Sequence, residues 1–420
     1  MCTNYSRELH KMGMAARTAA RKLALTKATH KNRCLEAMAE QLLEQQDKIQ
    51  DANQEDLENG KEKGLSNAML DRLTLSKERI EKMAKGLRTV TGLEDPCGRV
   101  ESTWIRPNGL KINKVRVPIG VVGIIYEARP NVTADAAGLC LKAGNATFLR
   151  GGSEAINSNQ AIVNALHKGL EDNDMPKEIV QLLPWTDREA VNQMLTMDEY
   201  IDLIIPRGGE ELIRKVVQNS SIPVIKHYKG VCHILVDKDA DGEKALTIIE
   251  NAKCQRPGVC NAAETVLIHR SIAEEFAPKM AEMLRKNNVS LRGDDEFCKL
   301  VKTAEKADDK DWSTEYLDLT LSVKIVENID DAIEHIGKYG SAHSDAIVTE
   351  NRNTATYFTE CVDSATVYVN ASTRFTDGGE FGMGAEIGVS TDRIHARGPM
   401  GLEELTSYKY IIMGNGQVRT

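Results

Sequence analysis

Two α/β domains built on parallel sheets, with a β-hairpin unit attached, form the fold class that three features of the sequence predict. Strand-like apolar runs alternate with helical stretches from Ile119 onward, in two successive series. The chain has 420 residues, too many for one hydrophobic core and suited to two or three domains. Third, Asn108-Gly109 separates RVESTWIRP (99–107) from LKINKVRVP (110–118), the strongest short signal for a hairpin.

In chain order, residues 5–93 read as mostly helical, with Leu35, Met38 and Leu42 on one apolar face. Ser66, Thr74 and Ser76 are expected N-caps, and Asp95, Pro96 and Gly98 end the region. The stretch 11–33 is basic and free of acids, as targeting segments are, but the helical pattern runs on through CLEAMAEQLLEQ (34–45), so a structural helix is expected. The hairpin has exposed edges that a partner chain would cover.

GVVGIIY (120–126), ATFLRG (146–151), VQLLP (180–184), DLIIPRG (202–208) and PVIKH (223–227) are the strands expected in the first series. Helices are expected at 133–144, 153–170, 187–196 and 210–219. A ligand of this sheet belongs at the carboxyl ends of its strands. The dinucleotide fingerprint G-x-G-x-x-G follows none of them. HILVD (233–237), TVLIHR (265–270), VSLRG (289–293), LSVKIVE (321–327), SDAIVTE (344–350) and ATVYVN (365–370) make the second series. Residues 374–400 read as a glycine-rich loop, and 405–419 returns to strand that could pair with the hairpin.

Composition bounds the function. Hydrophobic residues make up 41% and charged residues 28%, as in an ordinary globular protein. A net charge of −8 argues against nucleic acid as the main ligand. No apolar run approaches the roughly 18 to 20 residues of a membrane span. Nine scattered cysteines without C-x-x-C spacing suit reduced thiols in a cytoplasmic setting and indicate no metal site.

The stretch NAKCQRPGVCNAAET (251–265) carries the chemistry. It lies between a helical run (243–252) and a strand, and puts Cys254 and Cys260 around Arg256-Pro257-Gly258. Cys260 on a strained connection is placed to act as a nucleophile, with Arg256 supplying part of the field that favours a thiolate. The plain alternative is that both cysteines are small apolar fillers; Cys254 is assigned to packing.

NVTADAAGLCLKAGNATFLRGGSEA (131–155), LIIPRGG (203–209), CQRPGVCNAAETVLIH (254–269) and TDGGEFGMGAEIGVSTDRIHARGPMGLEELTSYKYI (376–411) together resemble the γ-glutamyl phosphate reductase family. That family is the proline-biosynthesis branch of the aldehyde dehydrogenase superfamily. The resemblance runs in order along nearly the whole chain, and no amino-acid kinase segment precedes it, so a stand-alone reductase is expected. It implies an aldehyde-dehydrogenase-like fold in three parts. Residues 1–102 and 117–228 would bind NADPH, 229–404 would form the catalytic domain, and 103–116 with 405–420 would form an oligomerisation unit. A homodimer or homotetramer is expected, and glutamate 5-kinase is a candidate partner.

The implied reaction is reduction of L-glutamate 5-phosphate by NADPH to the 5-semialdehyde and phosphate, through a thioester on Cys260. The backbone amide of Cys260 would hold the oxyanion, with Asn131 as a second donor and Ala128 as the alternative alignment. Where hydrolytic relatives carry a glutamate base, this chain has Lys226 and His227, which either assist the phosphate or are solvated strand-end residues. For the cofactor, Arg150 and Ser153 replace the lysine and glutamate of NAD-preferring relatives and favour a 2′-phosphate. Gly208 and Gly209 would admit the pyrophosphate, and Glu380 with Phe381 would meet the nicotinamide ribose; a tight turn and a helix-capping glutamate are the plain alternatives. Arg129, Arg256, Ser372, Thr373 and Arg374 are taken as a group for the substrate's phosphate and carboxylate. A hydrolytic or CoA-acylating dehydrogenase, or a non-catalytic binding protein on the same fold, are the competing readings.

Overall fold

A computed structural model describes residues 5–419; positions 1–4 and 420, the extremes of the expected domain limits, lie outside the described residues. The chain divides into two compact units. One comprises Met1–Lys226, Gly382–Gly388 and Met400–Thr420, the other His227–Phe381 and Val389–Pro399.

The first unit begins with α1 (Tyr5–Ala24), α2 (Ala28–Glu44), α3 (Gln46–Glu62), α4 (Asn67–Leu73) and α5 (Lys77–Thr91). Leu35, Met38 and Leu42 on α2 are fully buried, as their spacing requires. Each such side chain contributes roughly 1.5–3 kcal/mol by leaving water. Ser66 and Ser76 cap α4 and α5 by accepting from Met69 N–H and Arg79 N–H. Thr74 does not start a helix: it closes α4, its hydroxyl donating back to the carbonyl of Leu70.

After the hairpin strands β1 (Val100–Ile105) and β2 (Lys111–Pro118) come β3 (Val121–Tyr126), α6 (Asn131–Lys142), β4 (Ala146–Arg150) and α7 (Ile156–Glu171). Then follow β5 (Val180–Leu182), α8 (Arg188–Met194), β6 (Leu203–Arg207) and α9 (Glu210–Asn219). Strands β5-β4-β3-β6 form a four-stranded parallel sheet. All six residues of β3 are buried, the continuous apolar run that helices on both faces demand. The expected strand at 223–227 is reduced to a single bridge, Ile204 to Val224, because Pro223 has no N–H to extend a ladder.

The second unit holds β7 (Cys232–Val236), α10 (Gly242–Cys254), β8 (Ala263–His269), α11 (Arg270–Lys286), β9 (Ser290–Gly293), α12 (Asp295–Leu300) and β10 (Glu305–Lys306). It continues with β11 (Thr320–Val326), α13 (Ile329–Tyr339), β12 (Ser344–Val348), α14 (Arg352–Cys361) and β13 (Thr366–Val369). These seven strands form one parallel sheet in the order β10-β9-β11-β8-β7-β12-β13. The segment read as loop also contains a two-stranded ladder, β14 (Val389–Ser390) with β15 (Gly398–Pro399). The last strand, β16 (Thr406–Met413), pairs antiparallel with β2, so hairpin and C-terminal strand make one three-stranded sheet, β1-β2-β16. The sheet leaves Trp104, Tyr410 and Ile412 exposed on one face and Ile105 on the other.

A fully buried ion pair, Lys253 Nζ to Glu264 Oε2 at 2.7 Å, ties the end of α10 to β8. Burial pushes the Glu264 carboxyl up to about 7, and Lys253 only partly offsets that. From about 4.5 to about 7 the folded carboxyl keeps a proton that an unfolded one has lost, so its contribution to stability falls as pH rises through that window. Lys253→Met should therefore cost roughly 3–5 kcal/mol in urea unfolding at about pH 8 and less at about pH 5. Adding Glu264→Leu should recover most of the loss; an equal cost at both pH values without recovery would count against this account.

Candidate active site

The turn carrying Cys260 is fixed by the elements on either side of it. Asp241 caps α10 through Lys244 N–H, and the helix runs to Cys254, so the turn proper is 255–262. No residue in that turn has a left-handed backbone, so the expected strain is not what presents the cysteine. Packing does so instead. A Cβ at Gly230 would overlap the carbonyl group of Cys260, so only glycine lets the segment leading into β7 lie against the turn. The Cys232 thiol, at the start of β7, donates to the carbonyl of Cys260 at 3.3 Å. Burial pushes the Cys232 thiol well above its ordinary pKa, which keeps it a protonated donor.

Two histidines complete this cluster. Sγ of Cys260 and one ring nitrogen each of His227 and His343 lie within 4.8 Å of one another. His227 Nδ1 is 2.7 Å from the carbonyl of Val389, which makes Nδ1–H the donor and leaves the lone pair on Nε2 in the neutral ring. His343 is fully buried, with Nδ1 2.8 Å from the hydroxyl of Ser344. The two rings meet edge to face at 5.5 Å. Ala342, just before His343, has φ of 57°, a conformation that costs an alanine roughly 1–2 kcal/mol. His227, Cys260 and His343 all precede the amino ends of their strands β7, β8 and β12.

Most of the other expected substrate residues of this unit converge on the same turn. Thr373 Oγ1 donates to the carbonyl of Asn261 at 2.7 Å, and Asn261 Nδ2 donates to the carbonyl of Thr376 at 2.8 Å. Arg374 donates from Nε to Gln255 Oε1 at 2.9 Å and from a terminal nitrogen to Asn261 Oδ1. Burial holds its pKa below the ordinary range, and the positive charge of Arg256 adds to that. Arg374 is thus first a brace, whereas Arg256 is exposed. Ser372 is buried and caps the turn through Arg374 N–H. Thr376 anchors the loop to a hydroxyl chain with Ser344, Thr366 and Tyr368. Glu380 and Phe381 are exposed at the end of this unit, on a turn capped by Asp377.

The remaining expected residues belong to the first unit. Arg150, Gly208 and Gly209 lie at the carboxyl ends of β4 and β6, and Ser153 opens the turn before α7. Arg150 is half-buried; one terminal nitrogen reaches the carbonyl of Thr186 at 3.5 Å, and its buried Nε has no partner among the described residues. A cation with unused donors fits an anionic group such as a 2′-phosphate. Two carboxylates qualify that reading. Both Glu127 and Glu154 lie within the field of Arg150. Glu154 accepts from Ala128 N–H at 2.6 Å, and Glu127 accepts from Gly209 N–H at 3.0 Å. A side chain at Gly208 would collide with Glu127, so the glycine pair here accommodates a carboxylate.

Asn131, expected as a second oxyanion donor, uses one N–H of its amide at 2.9 Å to Asp135, one turn along α6. Arg129 is exposed just before that helix, and Lys226 is the last residue of the main first-unit segment. The residues that reading the sequence missed are Gly230, Cys232, His343, Glu127 and Glu154. Glycine two residues before a buried strand was a visible cue for close approach; His343 carried none, being far from Cys260 in sequence.

Residues 4–306 match the aldehyde dehydrogenase family. The chain is 57% identical over 404 residues to a γ-glutamyl phosphate reductase of Caldanaerobacter subterraneus subsp. tengcongensis, covering 96% of this chain and 98% of that protein. It is 56% identical over 412 residues to that of Heliobacterium modesticaldum, covering 98% and 99%. The crystal structure of the Thermotoga maritima γ-glutamyl phosphate reductase superposes with a TM-score of 0.97 at 49% identity, over 98% of this chain and 100% of that one. An acetylating aldehyde dehydrogenase of Geobacillus thermoglucosidasius shares the fold at 16% identity and a TM-score of 0.70, over 99% and 98%. The chain belongs to the aldehyde dehydrogenase family, in its γ-glutamyl phosphate reductase branch.

Proposed function

We propose that this chain catalyses NADPH-dependent reduction of L-glutamate 5-phosphate through a thioester on Cys260. The observation that carries the reading is the Cys260 turn, with two imidazoles within 4.8 Å and Arg256 and Arg374 alongside, in a chain similar over its length to γ-glutamyl phosphate reductases. Cys260 Sγ attacks the acyl carbon; a C–S bond forms, the C–O bond to phosphate breaks, and its electron pair leaves with phosphate. NADPH, when bound, supplies the hydride. Collapse of the resulting thiohemiacetal breaks the C–S bond, releases the semialdehyde and returns the sulfur. Arg256 is assigned to the phosphate, since a planar guanidinium matches its oxygens. Lys226 follows as a secondary cation with His227 beside it as a second phosphate contact, and the Cys260 amide as the oxyanion donor. The residue range 229–404 is assigned to catalysis and the first α/β series to the cofactor.

For the cofactor, Arg150 and Ser153 are assigned to the 2′-phosphate and the Gly209 amide to the pyrophosphate, with the Glu127 carboxylate leaving that amide as phosphate arrives. Glu380 and Phe381 are assigned to the nicotinamide ribose. The sheet β1-β2-β16 is assigned to self-association as a homodimer or homotetramer. Its exposed Trp104, Tyr410 and Ile412 form an apolar face that a second copy would cover.

Four substitutions test these assignments. Cys260→Ser should lower phosphate-dependent NADP⁺ reduction with pyrroline-5-carboxylate by roughly 1,000-fold or more at unchanged NADP⁺ affinity. In the same assay Arg256→Lys should slow turnover about 10- to 100-fold at fixed phosphate, the loss of one charge-assisted contact. Wild-type turnover in Cys260→Ser would reject the covalent mechanism, and unchanged phosphate saturation would release Arg256 from its role. Ser153→Glu should reduce the NADPH-to-NADH ratio of kcat/KM by about tenfold, the effect of about 1.4 kcal/mol; an unaltered ratio would place the 2′-phosphate elsewhere. Ile412→Asp should yield a smaller species in size-exclusion chromatography with light scattering, whereas an unchanged mass would move the interface off this sheet.

A further inference from the structure

Cys260, His227 and His343 offer one thiol and two imidazoles from three segments that are far apart in sequence. Reading the spacing of the chain alone gave no metal site. The fold brings the three together at the amino edge of one sheet. Their side chains are the donor set preferred by a borderline-soft divalent cation, which takes thiolate and imidazole in tetrahedral geometry.

The geometry points to a Zn²⁺-binding site made of Cys260 Sγ and one nitrogen each of His227 and His343, whose occupation silences the nucleophile. Metal-ligating histidines commonly fix the opposite ring nitrogen on a carbonyl or similar oxygen. His227 does so through Nδ1 to the Val389 carbonyl at 2.7 Å, and His343 through Nδ1 to Ser344 Oγ at 2.8 Å. Both rings are thus anchored through Nδ1 before any metal arrives. Ligand atoms around a tetrahedral zinc lie about 3.3–3.6 Å apart. The cluster spans up to 4.8 Å, so its members must close by roughly 1 Å. Rotation of the only partly buried Cys260 side chain can supply that movement with the backbone of the turn in place, while His343 is the fixed, fully buried member. On binding, the thiol gives its proton to solvent and a Zn–S bond forms; nothing is oxidised or reduced. The fourth position is left to water.

The guanidiniums of Arg256 and Arg374 oppose a dication beside Cys260, so this site should be weaker than a closed structural zinc site. Because the same sulfur would ligate the metal and attack the acyl carbon, zinc and acylation exclude each other. That consequence rests on the nucleophile assigned above; the binding itself does not.

Metal-free full-length protein is titrated with Co²⁺, and the thiolate-to-cobalt charge-transfer absorption is read in the near ultraviolet. One equivalent should produce the band, and Zn²⁺ should erase it by displacement. Zn²⁺ should also slow iodoacetamide labelling of Cys260, followed by peptide mass spectrometry, at least about tenfold. Cys260→Ser should abolish the band, and His343→Gln should weaken metal binding by at least about 10- to 100-fold, the loss that even an outer partner causes. His227→Gln, at a less buried position, gives the same readout should the buried His343 variant fail to fold. No band in the wild type, or a band that persists in Cys260→Ser, overturns the site. Loss of turnover in Cys260→Ser with no wild-type band removes the metal and keeps the nucleophile. A band with turnover retained in Cys260→Ser does the reverse.

Discussion

The contact on which the second unit's chemistry depends is the backbone approach between Gly230 and Cys260. With any side chain at 230, the segment entering β7 could not lie against the turn entering β8. That approach lets Cys232 and Ala263 pair across the two strands and lets the Cys232 thiol satisfy the carbonyl of Cys260. It also sets His227, three residues upstream of Gly230, within reach of the sulfur. His343 joins because β12 lies directly beside β7 in the sheet. Sheet order therefore converts three distant positions into one constellation.

A second layer holds the turn from outside. Asn261 is gripped by the loop at 373–376 through four hydrogen bonds, two of them from its own side chain. Arg374 spends its guanidinium on that brace, while Arg256 keeps an exposed one. Two arginines of similar standing in the sequence are thus separated by packing. Buried hydrogen-bonded networks of this kind rigidify a site when every member is satisfied, and the hydroxyl chain through Ser344, Thr366 and Thr376 meets that condition.

The first unit shows the opposite economy at the carboxyl ends of its strands. Arg150, with a buried donor left over, sits in the field of two carboxylates, and one of these occupies the N–H group of Gly209. A carboxylate on an amide at a helix start is a reasonable stand-in for a phosphate, since both exploit the same unsatisfied donors. Under the cofactor assignment proposed above, Glu127 and Glu154 join Ser153 in the choice between phosphate-bearing and phosphate-free nucleotides.

The sequence by itself determined the alternating strands and helices, the hairpin at Asn108-Gly109, the pairing of the C-terminal strand, and the family. Each of these is encoded locally, in apolar periodicity, turn residues or an ordered run of motifs. Even its errors were local: Pro223 denied a strand its ladder, and Thr74 turned its hydroxyl back on its own helix. It also singled out Cys260 and its neighbour Arg256, because a turn between a helix and a strand is a local pattern. Only the tertiary structure decided that His343 faces the thiol, that Gly230 is the place of contact, and that Asn131 is engaged by Asp135. Those facts follow from which strands are adjacent and which backbones touch, and no residue's own neighbourhood in the chain carries that information.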